Sequence, residues 1–192
     1  MPGVWGRPAY CEFDLFCDVV RFMSFEIIFS STFYINFVLE CRYLAAAGVG
    51  HVGIVDADTV DTSNLQRQVI HSVSTVGMSK CESAQRRIHD INPHVKVRLY
   101  EEEFTSETAE RILGGGFEHN RPYDVVVDGS DNFPTKYLIN DVCELVGTPW
   151  VYSAILAFEG QLSVFNFEGG PNYRDMLPTP PPPGDVLVRM KF

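Results

Sequence analysis

No glycine stands between Gly6 and Gly48. A dinucleotide-binding turn needs its G-x-G-x-x-G glycines between a first strand and the helix after it. A nicotinamide-dependent Rossmann enzyme is excluded on that ground. No C-x-x-C occurs either. The five cysteines, Cys11, Cys17, Cys41, Cys81 and Cys143, are odd in number and widely spaced. They argue against a disulfide framework or a zinc ribbon, fit a reducing compartment, and read as buried or idle thiols. Cations are scarce, with 15 Lys and Arg against 25 Asp and Glu and a net charge of -10. Such a diffuse excess of acid disfavours nucleic acid or an anionic membrane as the main partner. It serves solubility, and it leaves room for a few local cations to grip a triphosphate. Long apolar runs are missing as well. Arg21, Glu26 and Asn36 interrupt residues 19–39, and the uncharged part, 27–39, is too short to span a bilayer. Arg7 is not followed by the apolar run and small-residue site of a secretory signal.

The chain of 192 residues suffices for one domain with a real core. Its style changes near residue 41. Residues 1–40 are rich in aromatics, and Phe22, Phe25, Phe29 and Phe33 fall at near-helical spacing, as a core stripe or a docking face would. Beyond that, residues 41–47 read as the end of a helix stopped by Gly48 and Gly50. Residues 51–55 form a short apolar run ending at Asp56, which predicts a buried strand. A helical turn is predicted over 63–70, a helix over 79–91, and a strand over 95–100. A second helix is predicted over 105–113 with Thr105 as its N-cap. Residues 123–127 predict a buried strand stopping at Asp128, and 134–146 a helix with proline in its first turn. Further strands are predicted over 150–155 and 161–167, paired antiparallel. Strands alternating with helices predict an α/β fold, a Rossmann-like, mostly parallel sheet with flanking helices. Three regions result: 1–40, 41–177, and a proline-rich tail over 178–192 whose residues 178–183 should be extended.

In open α/β sheets, ligands bind beyond the carboxyl ends of the strands. Asp56 closes HVGIVDAD, and Asp128 with Asp131 closes YDVVVDGSDN. An acid at the end of an early strand can accept hydrogen bonds from ribose hydroxyls. One at a later strand end can hold magnesium, a hard cation that prefers carboxylate oxygen. Taken singly, each acid is better explained as a helix cap or a solvated turn; paired on one sheet edge, they point to a site. Between them, Ser63, Asn64 and Arg67 offer hydroxyl, amide and guanidinium donors in one short turn, and Lys80 begins the next helix. A guanidinium and an ammonium neutralise phosphate charge as a planar fork and a point charge. Surface Arg and Lys more often make only weak pairs.

A resemblance weighs on that choice. The stretches YLAAAGVG, VDADTVDTSNLQRQVIH, VGMSKCESA, INPHV, VVVDGSDNFPTKYLIND and EGQLSVFNFEGGPNYRD resemble the ThiF/MoeB family of adenylating enzymes, relatives of the ubiquitin-activating enzymes. The likeness runs from Tyr43 to about Pro183, in family order and spacing. PNYRDMLPTPPPPG is most similar to eukaryotic members that serve molybdopterin synthase and a ubiquitin-related modifier.

The resemblance implies use of Mg-ATP and a ubiquitin-like sulfur carrier protein with a C-terminal Gly-Gly. Its product, an acyl-adenylate, is then converted to a thiocarboxylate for tRNA thiolation and molybdenum cofactor biosynthesis. It implies that Asp56 holds the ribose, that Asn64 and Arg67 contact phosphates with Ser63 nearby, and that Lys80 stabilises transition-state charge. Asp131 would position magnesium, with Asn132 beside it. A cytoplasmic protein, with a homodimer allowed, would fit.

The chain departs from the family in three places. The family's glycine-rich loop after the first strand is replaced by IIFSSTFYINFVLECR, and the family's Arg-rich N-terminal segment is not recognisable. Asn172 and Asp175 stand where zinc-binding members have C-x-x-C, so no zinc is expected. No cysteine matches the sulfur-handling position. An alternative therefore stands beside the enzyme: a non-catalytic module that binds the carrier or dimerises.

Overall fold

Short runs rich in apolar residues, three of them closed by Asp56, Gly129 or Asn166, become the strands of one sheet. The computed structural model describes residues 26–31, 35–115, 122–156 and 159–181. Its strands are β1 (Glu26–Ser31), β2 (His51–Val55), β3 (Lys96–Tyr100), β4 (Val125–Gly129), β5 (Trp150–Leu156) and β6 (Glu159–Phe165). They lie in the order β3-β2-β1-β4-β5-β6. The first five run parallel, and β6 returns antiparallel along β5. That is a doubly wound sheet whose strand order reverses between β1 and β4. The helices are α1 (Ile35–Ala47), α2 (Lys80–Ile91), α3 (Ala109–Gly114), α4 (Phe133–Val146) and α5 (Tyr173–Met176).

Period-two alternation divides the strand side chains between two cores. Val52, Ile54 and Val127 pack with Cys41 and Ala45 of α1 and with Ala84 and Ile88 of α2. Ile28, Val55 and Val126 pack with Ile112 of α3, Ile139 and Val142 of α4, and Tyr173 of α5. Gly53 permits this packing, because a Cβ there would lie 2.6 Å from the Tyr123 hydroxyl and 3.0 Å from the Ile28 side chain. The helix ends follow local chemistry. Asn132 caps α4 by accepting from the Thr135 N–H at 2.9 Å. The helix stops at Gly147, whose φ of 73° suits glycine.

Several sequence expectations need correction. Phe29 lies in β1, so the near-helical phenylalanine spacing does not mark a helix over 26–31. A central strand is buried on both faces, and its apolar run carries no periodicity to read. Phe22, Phe25 and Phe33 lie outside the described residues. The sheet's central strand thus comes from the segment set apart as 1–40. The helix expected from Thr105 begins at Ala109 instead. The Thr108 hydroxyl turns back to the Glu103 carbonyl at 2.9 Å and accepts from the Thr105 N–H at 3.0 Å, which makes 105–108 a turn. Over 63–70 there is a 3-10 turn, Thr62–Asn64, followed by hydrogen-bonded turns. β4 includes Asp128, which pairs with Ser30. β6 ends at Phe165 because Asn166 takes a φ of 57°. In the proline-rich tail, residues 178–181 carry no helix or strand, and 182–192 lie outside the described residues.

Candidate functional site

Strand register brings the two acidic strand ends together. Val55 lies opposite Ser30 in β1, and Ser30 lies opposite Asp128 in β4. Asp56 and the turn after Gly129 therefore flank the carboxyl end of β1 from its two sides. Neighbouring strands are about 4.8 Å apart, so the two groups stand roughly 10 Å apart across the sheet.

On the β2 side, the chain after Asp56 is pinned to the start of α2. Val60 N–H bonds the Met78 carbonyl at 2.8 Å, and Lys80 N–H bonds the Asp58 carbonyl at 3.0 Å. Lys80 is the first residue of α2 and only 3% exposed. A cation there opposes the helix dipole. Two carboxylates offset that: Asp58 Oδ2 at 2.7 Å and Asp56 Oδ2 at 3.8 Å from Nζ. Asp56 also accepts from the Asp58 N–H at 2.8 Å. Asp56 is buried, whereas the Asp58 side chain is 42% exposed. Asp58 is a site residue that sequence reasoning missed. Its signal was the second acid of the D-x-D at the strand end.

On the β4 side, Asp128 is fully buried and paired with Lys136 in the first turns of α4, at 2.5 Å. Burial pushes the Asp128 carboxyl above the usual carboxylate range, against the opposing pull of Lys136 and Ser130. Asp131 follows in the turn, partly exposed, with its Oδ1 3.4 Å from Asn132 Nδ2. Sequence reasoning gave Lys136 no role. Its only signal was a lysine eight residues beyond an acid that closes a valine run.

The structure thus brings Asp56 to Lys80, and Asp131 to Asn132, at one sheet edge. Ser63, Asn64 and Arg67 build a turn of their own. Asn64 is buried and accepts from the Asp61 N–H at 3.1 Å, and Arg67 Nη1 donates to the Ser63 carbonyl at 2.9 Å. None of these bonds reaches Asp56, Lys80 or Asp131. Behind the turn, His71 Nδ1 lies 2.8 Å from Ser83 Oγ. Ser83 donates to Thr75, and Thr75 donates to the Ser72 carbonyl, so the Nδ1 must carry the proton. Burial, reinforced by Lys80, pushes the His71 pKa down to about 4.

Cys41, Cys81 and Cys143 are buried. Burial, with Asp56 adding to it, pushes the Cys81 thiol up to about 12, which makes it a poor nucleophile. Cys11 and Cys17 lie outside the described residues.

The donor set suits magnesium. Among the described residues no three His, Cys, Asp or Glu cluster as a metal cage. Magnesium needs only one or two carboxylates when phosphate oxygens complete its shell. Zinc does not fit Asn172 and Asp175, which offer no thiolate. Each side chain instead caps the other's backbone: Asn172 accepts from the Asp175 N–H at 3.1 Å, and Asp175 from the Asn172 N–H at 2.9 Å.

A family model described as the ThiF family matches residues 39–188. Curated relatives include the sulfur carrier protein adenylyltransferase of Thermus thermophilus, 50% identical over 150 residues that make up 76% of this chain and 53% of that protein. The adenylyltransferase and sulfurtransferase MOCS3 of Dictyostelium discoideum is 48% identical over 140 residues, 73% of this chain and 31% of that protein. The chain spans about half of the former's length and a third of the latter's. Among solved structures, E. coli MccB with ATP superposes with a TM-score of 0.71 at 19% identity, over 84% of this chain and 46% of that one. That likeness concerns the fold alone. Matched by its family model over most of its length, the chain belongs to the ThiF family.

Proposed function

We propose that the chain carries out ATP-dependent adenylation of the C-terminal glycine of a ubiquitin-like sulfur carrier protein. The product feeds thiocarboxylate formation for tRNA thiolation and molybdenum cofactor biosynthesis. The carrier's carboxylate oxygen bonds to the α-phosphorus of ATP, and the bond to the bridging oxygen breaks, releasing pyrophosphate. Such a transfer needs positioning and charge stabilisation more than covalent help from the protein.

The observation that carries this reading is Lys80. An ammonium is held almost without solvent at a helix N-terminus, paired to acids at the carboxyl edge of a doubly wound sheet. Asp58 is exposed enough to give up that contact, which frees Lys80 to meet phosphate oxygens. Asp56 accepts ribose hydroxyls, and Asp131, with Asn132 beside it, holds magnesium, which offsets phosphate charge when bound. Asn64 and Arg67 approach the phosphates from the 62–68 turn, with Ser63 alongside. The names of the relatives support the carrier as partner, and this reading fits a cytoplasmic protein, with a homodimer allowed. Among the described residues no helix is long and apolar enough to cross a membrane.

The test is ATP–pyrophosphate exchange that depends on a carrier with a free Gly-Gly end. Exchange in the full chain, lost in Lys80→Ala, is the expected result. Exchange no greater than in Lys80→Ala would overturn catalysis and leave a carrier-binding module.

A further inference from the structure

Asp128 and Lys136 have no part in the roles given to Asp56, Lys80 and Asp131, yet every polar atom of the pair is engaged. Lys136 Nζ donates to Asp128 Oδ2 at 2.5 Å and to the Ser153 carbonyl at 2.9 Å, and it sits 4.7 Å from the centre of the Tyr152 ring. Two acceptors and an aromatic face thus surround the ammonium. Asp128 Oδ1 accepts from the Ser130 N–H at 2.7 Å, and the Asp128 carbonyl accepts from Ser153 Oγ at 3.0 Å. The circuit joins the end of β4, the first turns of α4 and the middle of β5. It encloses the turn that carries Asp131.

A buried ion pair is a poor way merely to hold elements together, since an apolar pair of equal volume often does as well or better. An apolar pair cannot fix direction. Here the Asp128 carboxylate has one oxygen on the turn and the other on the helix, so the turn cannot rotate without breaking a buried contact. Asp131 lies three residues from one anchor and one residue from the Asn132 cap that forms the other. We propose that Lys136 is a positioning residue: through Asp128 it locks the β4–α4 turn in the shape that presents the Asp131 carboxylate to a phosphate-bound divalent cation. The turn-locking part stands on the contacts above. The cation itself rests on the adenylation reading.

The test compares the full chain with the charge-neutral variant Asp128→Asn/Lys136→Met and with Asp131→Asn. Hydrogen exchange at the amides of residues 130–132 is read beside the magnesium concentration that gives half of the Mg-ATP stabilisation in a melting curve. In the double variant those amides should exchange at least about 30-fold faster while the far end of α4 is unchanged. The magnesium half-point should rise about tenfold, as in Asp131→Asn, and combining the variants should add nothing. If the double variant does not fold, Ser153→Ala opens one arm of the circuit and should give smaller shifts of the same sign. Native protection at 130–132 with an unmoved half-point would overturn the proposal. If ATP stabilises no form of the chain but the amides still open, the adenylation reading fails and the turn lock stands.

Discussion

Two lysines, one the first residue of α2 and one in the first turn of α4, flank the β1 carboxyl end, and the sheet treats them differently. Lys136 faces a carboxylate with no solvent at all; Lys80 shares its charge between the buried Asp56 and the 42% exposed Asp58. The sealed pair has nowhere to go, because loss of either partner strands a charge in low dielectric. The open pair can exchange its outer acid for phosphate at little cost. On the adenylation reading, one flank of the site holds shape and the other is re-partnered. Burial of the acid, not the lysine's own burial, separates them.

The largest expected break in that contrast is Lys136→Met. It leaves Asp128 buried and unpaired, at a cost of about 3–5 kcal/mol. Lys80→Met should cost less than half as much in the same urea titration, since water reaches its closer partner Asp58 and the buried Asp56, 3.8 Å away, keeps its bond from the Asp58 N–H, yet it should abolish pyrophosphate exchange. Equal losses would erase the distinction between a shape-holding flank and a working one. Restoring neutrality with Asp128→Asn in the Lys136→Met background should recover most of the lost stability, because the stranded charge is what costs.

Next in size is the acid response of the Lys80 flank. His71 has its pKa lowered in the folded state, from 6.5 to about 4, so folding favours the neutral ring. The stability this gives is present above pH 6.5 and drains away as pH falls toward 4, because the unfolded chain binds the proton first. Inside that window His71 adds a slope of up to about 1.4 kcal/mol per pH unit. His71→Asn keeps a donor for Ser83 and should flatten the slope. A slope unaltered by that change would mean other groups set the acid limit.

A smaller effect is kinetic. Cys81 should resist a maleimide at pH 8 in the native chain and react at the rate of unfolding, since its thiol sits up to about 12 and donates to the Asp56 carbonyl. Mass spectrometry of labelled chain reads this directly. Rapid labelling would mean that the chain after Asp56 opens far more readily than its packing implies.

How much of this could be read from the residues alone follows one rule: local patterns were legible, partners across the sheet were not. β2 matched its sequence limits, and α2 and α4 matched theirs within a residue, because Ser79, Asn132 and Gly147 punctuate them and their periodicity is local. β1 was not legible because its six residues, EIIFSS, show no clean period of two, and Phe29 also fits a helical spacing with the phenylalanines on either side. The start of α3 is not legible because Thr105 and Thr108 are equally good caps by residue type; the Glu103 carbonyl decides between them. In the site, Asp56, Lys80 and Asp131 stood out by motif and position. Asp58 and Lys136 did not, since what makes them matter is a distance across the fold. Asp58 and Lys80 are 22 residues apart in the chain.

The smallest expected effect tests the contrast from its other side. Arg174 grips Asp141 with two nitrogens, at 2.7 and 2.6 Å, and lies 4.9 Å from the centre of the Tyr137 ring. By distance this bidentate pair is as good as either lysine pair, but both side chains are 45% exposed. Water screens them in the folded state and solvates them when parted, so Arg174→Ala should cost no more than about 1 kcal/mol. The segment it sits on has other anchors: Tyr173 N–H to Asn140 Oδ1 at 2.7 Å, and the Tyr137 hydroxyl to the Leu177 carbonyl at 2.7 Å. If geometry set the energy of an ion pair, Arg174→Ala would rival Lys136→Met. If burial of the acid sets it, the two should differ by at least about 2 kcal/mol in the same titration, with Lys80→Met between them.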